Sequence, residues 1–186
     1  LIVDRFGDLI CFQTLSAGME TFKENIIQYL RERFAPRSIV ERNDASVRQF
    51  EELPLLRQTV YGEAPAEAAF QFSGKHFSFQ PLEGQKTGFF LDQRCNAAAA
   101  ARYAFGEMLD VFSYVGQFGI HAAAKAEKVL CVDASAAALA QAERNAELNE
   151  LRNVETHEAN AFDFLKECDR QGRAFDVISL DPPAFV

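Results

Sequence analysis

Asp110-Val111-Phe112-Ser113-Tyr114-Val115-Gly116-Gln117-Phe118-Gly119 decides the fold of this chain. A buried strand runs into Asp110–Phe112, Gly116 supplies a turn, and a helix opens after it. That layout receives the polar part of a nucleotide-like cofactor. A pyrophosphate-binding fingerprint needs a further glycine two places before the middle one. Tyr114 stands there, so a dinucleotide would meet a side chain. The amino-acid end of S-adenosylmethionine (SAM) needs less room and gains from an acidic partner such as Asp110. Phe112, Tyr114, Gly116 and Gly119 are therefore candidate cofactor residues alongside Asp110, an ordinary glycine turn being the plainer reading.

Working outward, residues 92–105 read as a helix and are followed by strands at 107–112, 127–132, 153–158 and 174–181. Helices at 117–125, 135–149 and 160–170 lie between those strands. Such alternation implies crossover connections, hence a parallel sheet with helices on both faces. Asp133 ends the second strand 17 residues after Gly116, close to the spacing of about 20 at which a carboxylate meets ribose hydroxyls. Its competing role is a cap for the helix beginning near Ser135. Ala134 beside it adds no bulk. Asn160 and Ala161 follow the third strand, where an amide could read an adenine edge or simply cap a helix. Asp181-Pro182-Pro183 closes the fourth strand. The prolines fix the backbone and remove donors, while Asp181 can accept from an exocyclic amine, so Asp181 and Pro182 are candidates for holding a flat base.

Residues 1–82 pattern differently. Two strands flank the Gly7-Asp8 turn, and apolar residues from Met19 to Phe34 recur at a helical period across Ala17–Phe34. Ser38–Glu41 reads as a strand, Asp44 as the cap of a short helix reaching Leu53, and residues 69–79 as a hairpin turning at Ser73-Gly74. The expected organisation is a small α+β strand-strand-helix-strand-strand domain over 1–82. A Rossmann-like α/β domain over 83–186 would follow it.

Formal charge is −8, of which residues 91–186 carry −6. Phosphate-backbone binding depends on basic charge, so an RNA substrate would need a separate basic module. No apolar run approaches the ~18 residues that span a bilayer, and four scattered cysteines fit neither a zinc site nor a disulfide framework. A cytoplasmic protein without a metal or membrane partner is expected, and a homodimer is left open. Leu1 as the first residue leads us to expect the interior of a longer protein.

The chain resembles the class I SAM-dependent methyltransferases that make 5-methylcytosine in large-subunit ribosomal RNA. The resemblance is carried by Leu1–Asp8, Gly84–Arg94, Asp110–Gly119 and Leu180–Phe185, and it extends over essentially the whole chain. It implies SAM as cofactor, ribosomal RNA as substrate, and an N-terminal PUA RNA-binding module. By position it places Gly116 and Gly119 at the methionine part of SAM, Asp133 at the ribose and Asn160 at the adenine, where the family usually has aspartate. It assigns Phe89, Asp92, Gln93 and Arg94 to a lid over the cofactor and Asp181 and Pro182 to the target base. A cysteine nucleophile is implied beyond Val186, together with the rest of a sheet of about seven strands. Two other readings remain: a SAM-dependent methyltransferase acting on a base nitrogen, and a SAM- or nucleotide-binding module without catalysis.

Overall fold

The computed structural model describes residues 1–84 and 87–183. Gln85, Lys86, Ala184 and Phe185, quoted above within family-like stretches, lie outside the described residues. Contacts divide the chain into two units, Leu1–Phe70 with Ser78–Leu91, and Gln71–Phe77 with Asp92–Val186.

The first unit holds a four-stranded sheet ordered β1-β2-β3-β4, from β1 (Ile2–Phe6), β2 (Leu9–Gln13), β3 (Ser38–Asn43) and β4 (Leu56–Gly62). The β2–β3 pair is parallel and the outer pairs are antiparallel. Ile10, Phe12 and Ile39 pack against Ile27 and Leu30 of α2 (Lys23–Phe34). Phe6, Phe70, Phe79 and Phe89 form a second, aromatic cluster with centroids 4.5 to 5.8 Å apart.

Three expectations change here. The helix expected over Ala17–Phe34 is broken into α1 (Ala17–Glu20) and α2. Phe22 caps α2 and stands 58% exposed instead of continuing the apolar stripe. Glu20 is drawn to Arg48 at 2.9 Å and Lys23 at 2.7 Å, and the Thr21 hydroxyl donates to the Gly18 carbonyl, so side chains compete with helix continuation. Asp44 does not cap the following 3-10 turn (Ser46–Glu51), whose cap is Ala45. Two guanidinium groups, Arg42 at 3.2 Å and Arg57 at 2.7 Å, claim its carboxylate. Finally, β4 falls where no strand is expected.

The sheet centre of this unit is unusually polar. Glu41, Arg42, Asn43 and Arg48 are all 0% exposed. Glu41 accepts from Lys23, Asn43 and Gln58, and Arg48 donates to Glu20 and to the Pro54 carbonyl. Burial pushes the Glu20 carboxyl up, but hydrogen bonds from Arg48, Lys23 and Thr14 win and bring it down to about 2. A buried charge is tolerated only when paired in this way.

The hairpin β5 (Ala68–Phe72) and β6 (Lys75–Phe79) turns at Ser73-Gly74 as expected. Its tip belongs to the second unit, where His121 packs between Phe72 and Phe77 at 5.8 and 5.6 Å. Burial lowers the pKa of that histidine.

A 3-10 turn (Leu91–Gln93) leads into α3 (Arg94–Tyr103), which contains the alanine run. There follow β7 (Glu107–Val111), α4 (Gln117–Ala122), β8 (Lys128–Asp133), α5 (Ala136–Leu148), β9 (Val154–Glu158), α6 (Ala161–Gln171) and β10 (Val177–Leu180). Each matches an expected element to within a few residues. All pairings in this sheet are parallel, in the order β10-β7-β8-β9. Period-2 alternation sends Met108, Val129 and Cys131 to a face covered by Ala122 and Leu139. Leu109, Val111, Leu130 and Val132 face Ala161 and Phe164. Helices therefore cover both faces, and the strand order reverses between β7 and β10. A sheet of this kind binds ligands at that switch point, outside the carboxyl ends of its strands.

Candidate cofactor and base site

Asp110, Asp133, Asn160 and Asp181 stand at or just beyond the carboxyl ends of β7, β8, β9 and β10. The turn after β7 carries three left-handed residues, Phe112 (φ 62°), Tyr114 (φ 49°) and Gly116 (φ 78°). Side-chain residues take that conformation at a cost of roughly 1 kcal/mol each, so neighbouring groups must hold the turn. They do. The Ser113 amide donates to the Val132 carbonyl at 3.1 Å and the Gly116 amide to the Ser113 carbonyl at 2.8 Å. The Tyr114 amide donates to the Asp133 carboxylate at 2.8 Å.

Gly116 and Gly119 are glycine for different reasons. Gly116 has a positive φ, and an added Cβ would also lie 3.1 Å from the Ala142 Cβ. Gly119 is helical, but its Cβ would meet the Cys131 sulfur at 2.7 Å. The helix start thus sits tightly against the side chains of β7 and β8, leaving no room for a Cβ at Gly119.

Asp110 is 1% exposed. Its carboxylate accepts from the Gly119 amide at 2.9 Å, and burial pushes it up to about 7. The Gly119 amide and the Ser179 hydroxyl oppose that shift, while Asp181 and Asp133 reinforce it. Asp133 is half-buried and accepts from both Tyr114 and Ser135 amides, the latter at 2.9 Å. The helix cap itself is Ser135, whose hydroxyl takes the Ala138 amide at 3.2 Å. The capping role considered for Asp133 is therefore filled by its neighbour.

Asn160 does cap α6: its side-chain oxygen accepts from Phe162 at 3.0 Å and Asp163 at 3.3 Å. Its NH2 group keeps two donors. Ala161 is 6% exposed and packs in the core, leaving only its backbone for a ligand, whereas Ala134 is exposed. Phe162, 52% exposed, meets Phe112 edge-on with ring centroids 6.0 Å apart. We expect Asn160→Ala to cost about 1 kcal/mol through the lost cap and Asn160→Asp to cost nothing, as read by urea denaturation. If both variants lose SAM affinity in calorimetry, the amide donors contact the ligand.

The lid candidates are scattered among other tasks. Phe89 is 3% exposed in the aromatic cluster of the first unit, 4.8 Å from Phe70. Asp92 and Gln93 belong to the 3-10 turn, Gln93 accepts from Asn96 at 2.6 Å, and Arg94 lies 5.2 Å over the Phe72 ring. Among the described residues, no hydrogen bond or ion pair joins Asp92, Gln93 or Arg94 to Asp110, Asp133 or Asn160. Pro182 and Pro183 are exposed beyond β10.

Two supporting residues escape the sequence reading. Asn145 is fully buried on α5 and donates to the Val115 carbonyl at 3.0 Å, pinning the turn from behind. Its signal is an amide set on the apolar period of Leu139, Ala142 and Ala146. Ser179 is the second, a hydroxyl inside the apolar run of β10.

Electrostatics narrow the ligand. Asp110, Asp133 and Asp181 cluster at the strand ends, and among the described residues no lysine or arginine pairs with any of them. Such a site suits a sulfonium and an ammonium and repels a pyrophosphate.

The unit has the class I SAM-dependent methyltransferase fold. A protein assigned as a methyltransferase and solved in complex with SAH superposes with a TM-score of 0.84 at 25% identity, over 99% of this chain and 48% of that one. A family model described as "Conserved hypothetical protein 95" matches residues 95–185. The chain is similar to the Ribosomal RNA large subunit methyltransferase I of Shewanella amazonensis, 38% identical over 190 residues, spanning 100% of this chain and 48% of that protein. The enzyme of the same name from Aeromonas hydrophila is 41% identical over 191 residues, again 100% of this chain and 48% of its own length. The chain thus spans about half the length of the curated relatives it matches.

Proposed function

We propose that this chain is the cofactor-binding part of a SAM-dependent methyltransferase of large-subunit ribosomal RNA that forms 5-methylcytosine. The observation carrying the reading is the acidic trio at the switch point, with which no lysine or arginine pairs among the described residues, beside a turn that has Tyr114 where a pyrophosphate fingerprint needs glycine. In this reading Asp133 accepts from the ribose hydroxyls, and Asn160 donates to an adenine ring nitrogen, its oxygen being committed to the helix cap. Phe112 and Phe162 border the adenine, and the Gly116 turn takes the methionine moiety. Asp181 accepts from the cytosine amine while Pro182 keeps the adjoining backbone rigid. Lid roles for Phe89, Asp92, Gln93 and Arg94 belong to the same proposal.

Bound SAM supplies an electrophilic methyl group on its sulfonium. Carbon 5 of cytosine becomes nucleophilic when a thiolate adds to carbon 6, and the proton at carbon 5 must leave before the thiolate is expelled. None of the cysteines present suits that step. Cys11 and Cys131 are fully buried, and burial pushes Cys11 up to about 12 and Cys131 well above the ordinary thiol range. Cys168 is buried and Cys95 is exposed in the first turn of α3. The nucleophile, like a PUA-type RNA-binding module, is assigned to segments of the relatives' length outside this chain.

The test uses the protein at the full length of its relatives, labelled SAM and unmodified large-subunit RNA. Label should enter the RNA and digest to 5-methylcytidine. Label in a nitrogen-methylated nucleoside would replace the cytosine-C5 reading, and absence of both SAM binding and transfer would overturn the proposal entirely.

A further inference from the structure

We infer that Asp110 and Ser179 form a side-chain bridge that ties the cofactor turn to the base-holding strand, making both positioning residues for the reaction proposed above. Asp110 joins three elements through one carboxyl group. It sits on β7, it accepts from the Gly119 amide in the first turns of α4 at 2.9 Å, and its neighbour across the sheet is Ser179 of β10. Ser179 lies directly opposite Asp110 in the parallel register, so both side chains leave the sheet on the same face. Two residues after Ser179, just beyond the end of β10, comes Asp181. The carboxyl group is 1% exposed, so it acts through these partners and not by touching a ligand. The strand order reverses between β7 and β10, and the bridge spans that crevice.

A displaced β10 end would therefore loosen the Gly119 anchor, and a displaced turn would release Ser179. Base-side and cofactor-side geometry are set by one group.

Four variants of the full chain, with SAH as calorimetric probe, separate this bridge from a direct charge contact. Asp110→Asn can still accept from Gly119 and engage the Ser179 hydroxyl, so affinity should stay within about threefold. Asp110→Ala leaves the Gly119 amide without its acceptor, Ser179→Ala removes the inferred bridging bond, and each should weaken SAH about tenfold. The double variant Asp110→Ala with Ser179→Ala should be no worse than Asp110→Ala alone. Wild-type affinity should rise with pH across about pH 6 to 8, because the ionised carboxyl is the stronger acceptor, and Asp110→Asn should flatten that rise. Cys131 and Asp133 from β8 and Asp181 beyond β10 are the other titratable groups facing Asp110, and they remain in that variant.

Additive losses, or an unchanged Ser179→Ala, overturn the bridge. Loss of affinity in Asp110→Asn equal to that in Asp110→Ala shows a direct charge contact instead. Should the wild type bind neither SAM nor SAH, the functional reading fails while the bridge stays testable. The same four proteins then give a thermal-stability cycle in which non-additivity supports the bridge and additivity rejects it.

Discussion

Asp133→Ala should reduce affinity for SAH by at least about a hundredfold, the largest effect expected from any change in the site. Two losses combine. The Tyr114 amide, held at 2.8 Å by this carboxylate, loses its acceptor in a turn that already carries left-handed Phe112 and Tyr114. Leaving such a donor unpaired costs on the order of 1–3 kcal/mol. The proposed ribose hydroxyls lose a charged acceptor, worth roughly another 1.5–3 kcal/mol. Together these come to roughly 2.5–6 kcal/mol, and about 2.7 kcal/mol corresponds to a hundredfold. Asp133→Asn keeps one acceptor oxygen and should fall about tenfold. Calorimetric titration with SAH checks both values. An Asp133→Ala protein that binds normally would remove the ribose assignment.

Arg42→Met should destabilise the first unit by about 3–5 kcal/mol, the cost of breaking a buried charge network. All five guanidinium donors are used. Nη1 donates to the Pro81 and Glu83 carbonyls at 2.9 and 2.7 Å, Nη2 to the Gly84 carbonyl at 2.7 Å and to Asp44 at 3.2 Å, and Nε to Asp44 at 3.3 Å. The methylene stem fits methionine, but three carbonyls and a carboxylate lose the partner they share, a guanidinium that is itself fully buried. Lysine restores charge without the planar fork, so Arg42→Lys should recover only part of the loss. Urea denaturation followed by circular dichroism measures both. A variant within 1 kcal/mol of wild type would mean that water takes over the carbonyls.

The parallel sheet and its tips were legible because its short strands alternate regularly with helices and are followed by residues with special demands. Gly116 needs a positive φ, Asp133 ends a hydrophobic run, and Asn160 opens a helix. The first unit was less legible. Glu41, Arg42 and Arg48 read as solvated charges in sequence, and nothing local reveals that their partners come from distant segments. Phe22 fits a helical stripe but sits at a helix break created by Glu20 reaching Arg48. Asp44 has the composition of a cap and is claimed by two arginines. Ser179 and Asn145 stayed hidden because a single polar residue on an apolar face declares no partner until the strands are registered.

Strand order also fixes a timetable for synthesis. As the polypeptide leaves the ribosome, β7, β8 and β9 can zip together in order of emergence, whereas the place beside β7 stays unfilled until Val177–Leu180 arrives. Pairings between distant segments carry the larger loop-closure cost and form late. A nascent chain paused before Val177 would leave one side of β7 open and Asp110 without the strand beside it.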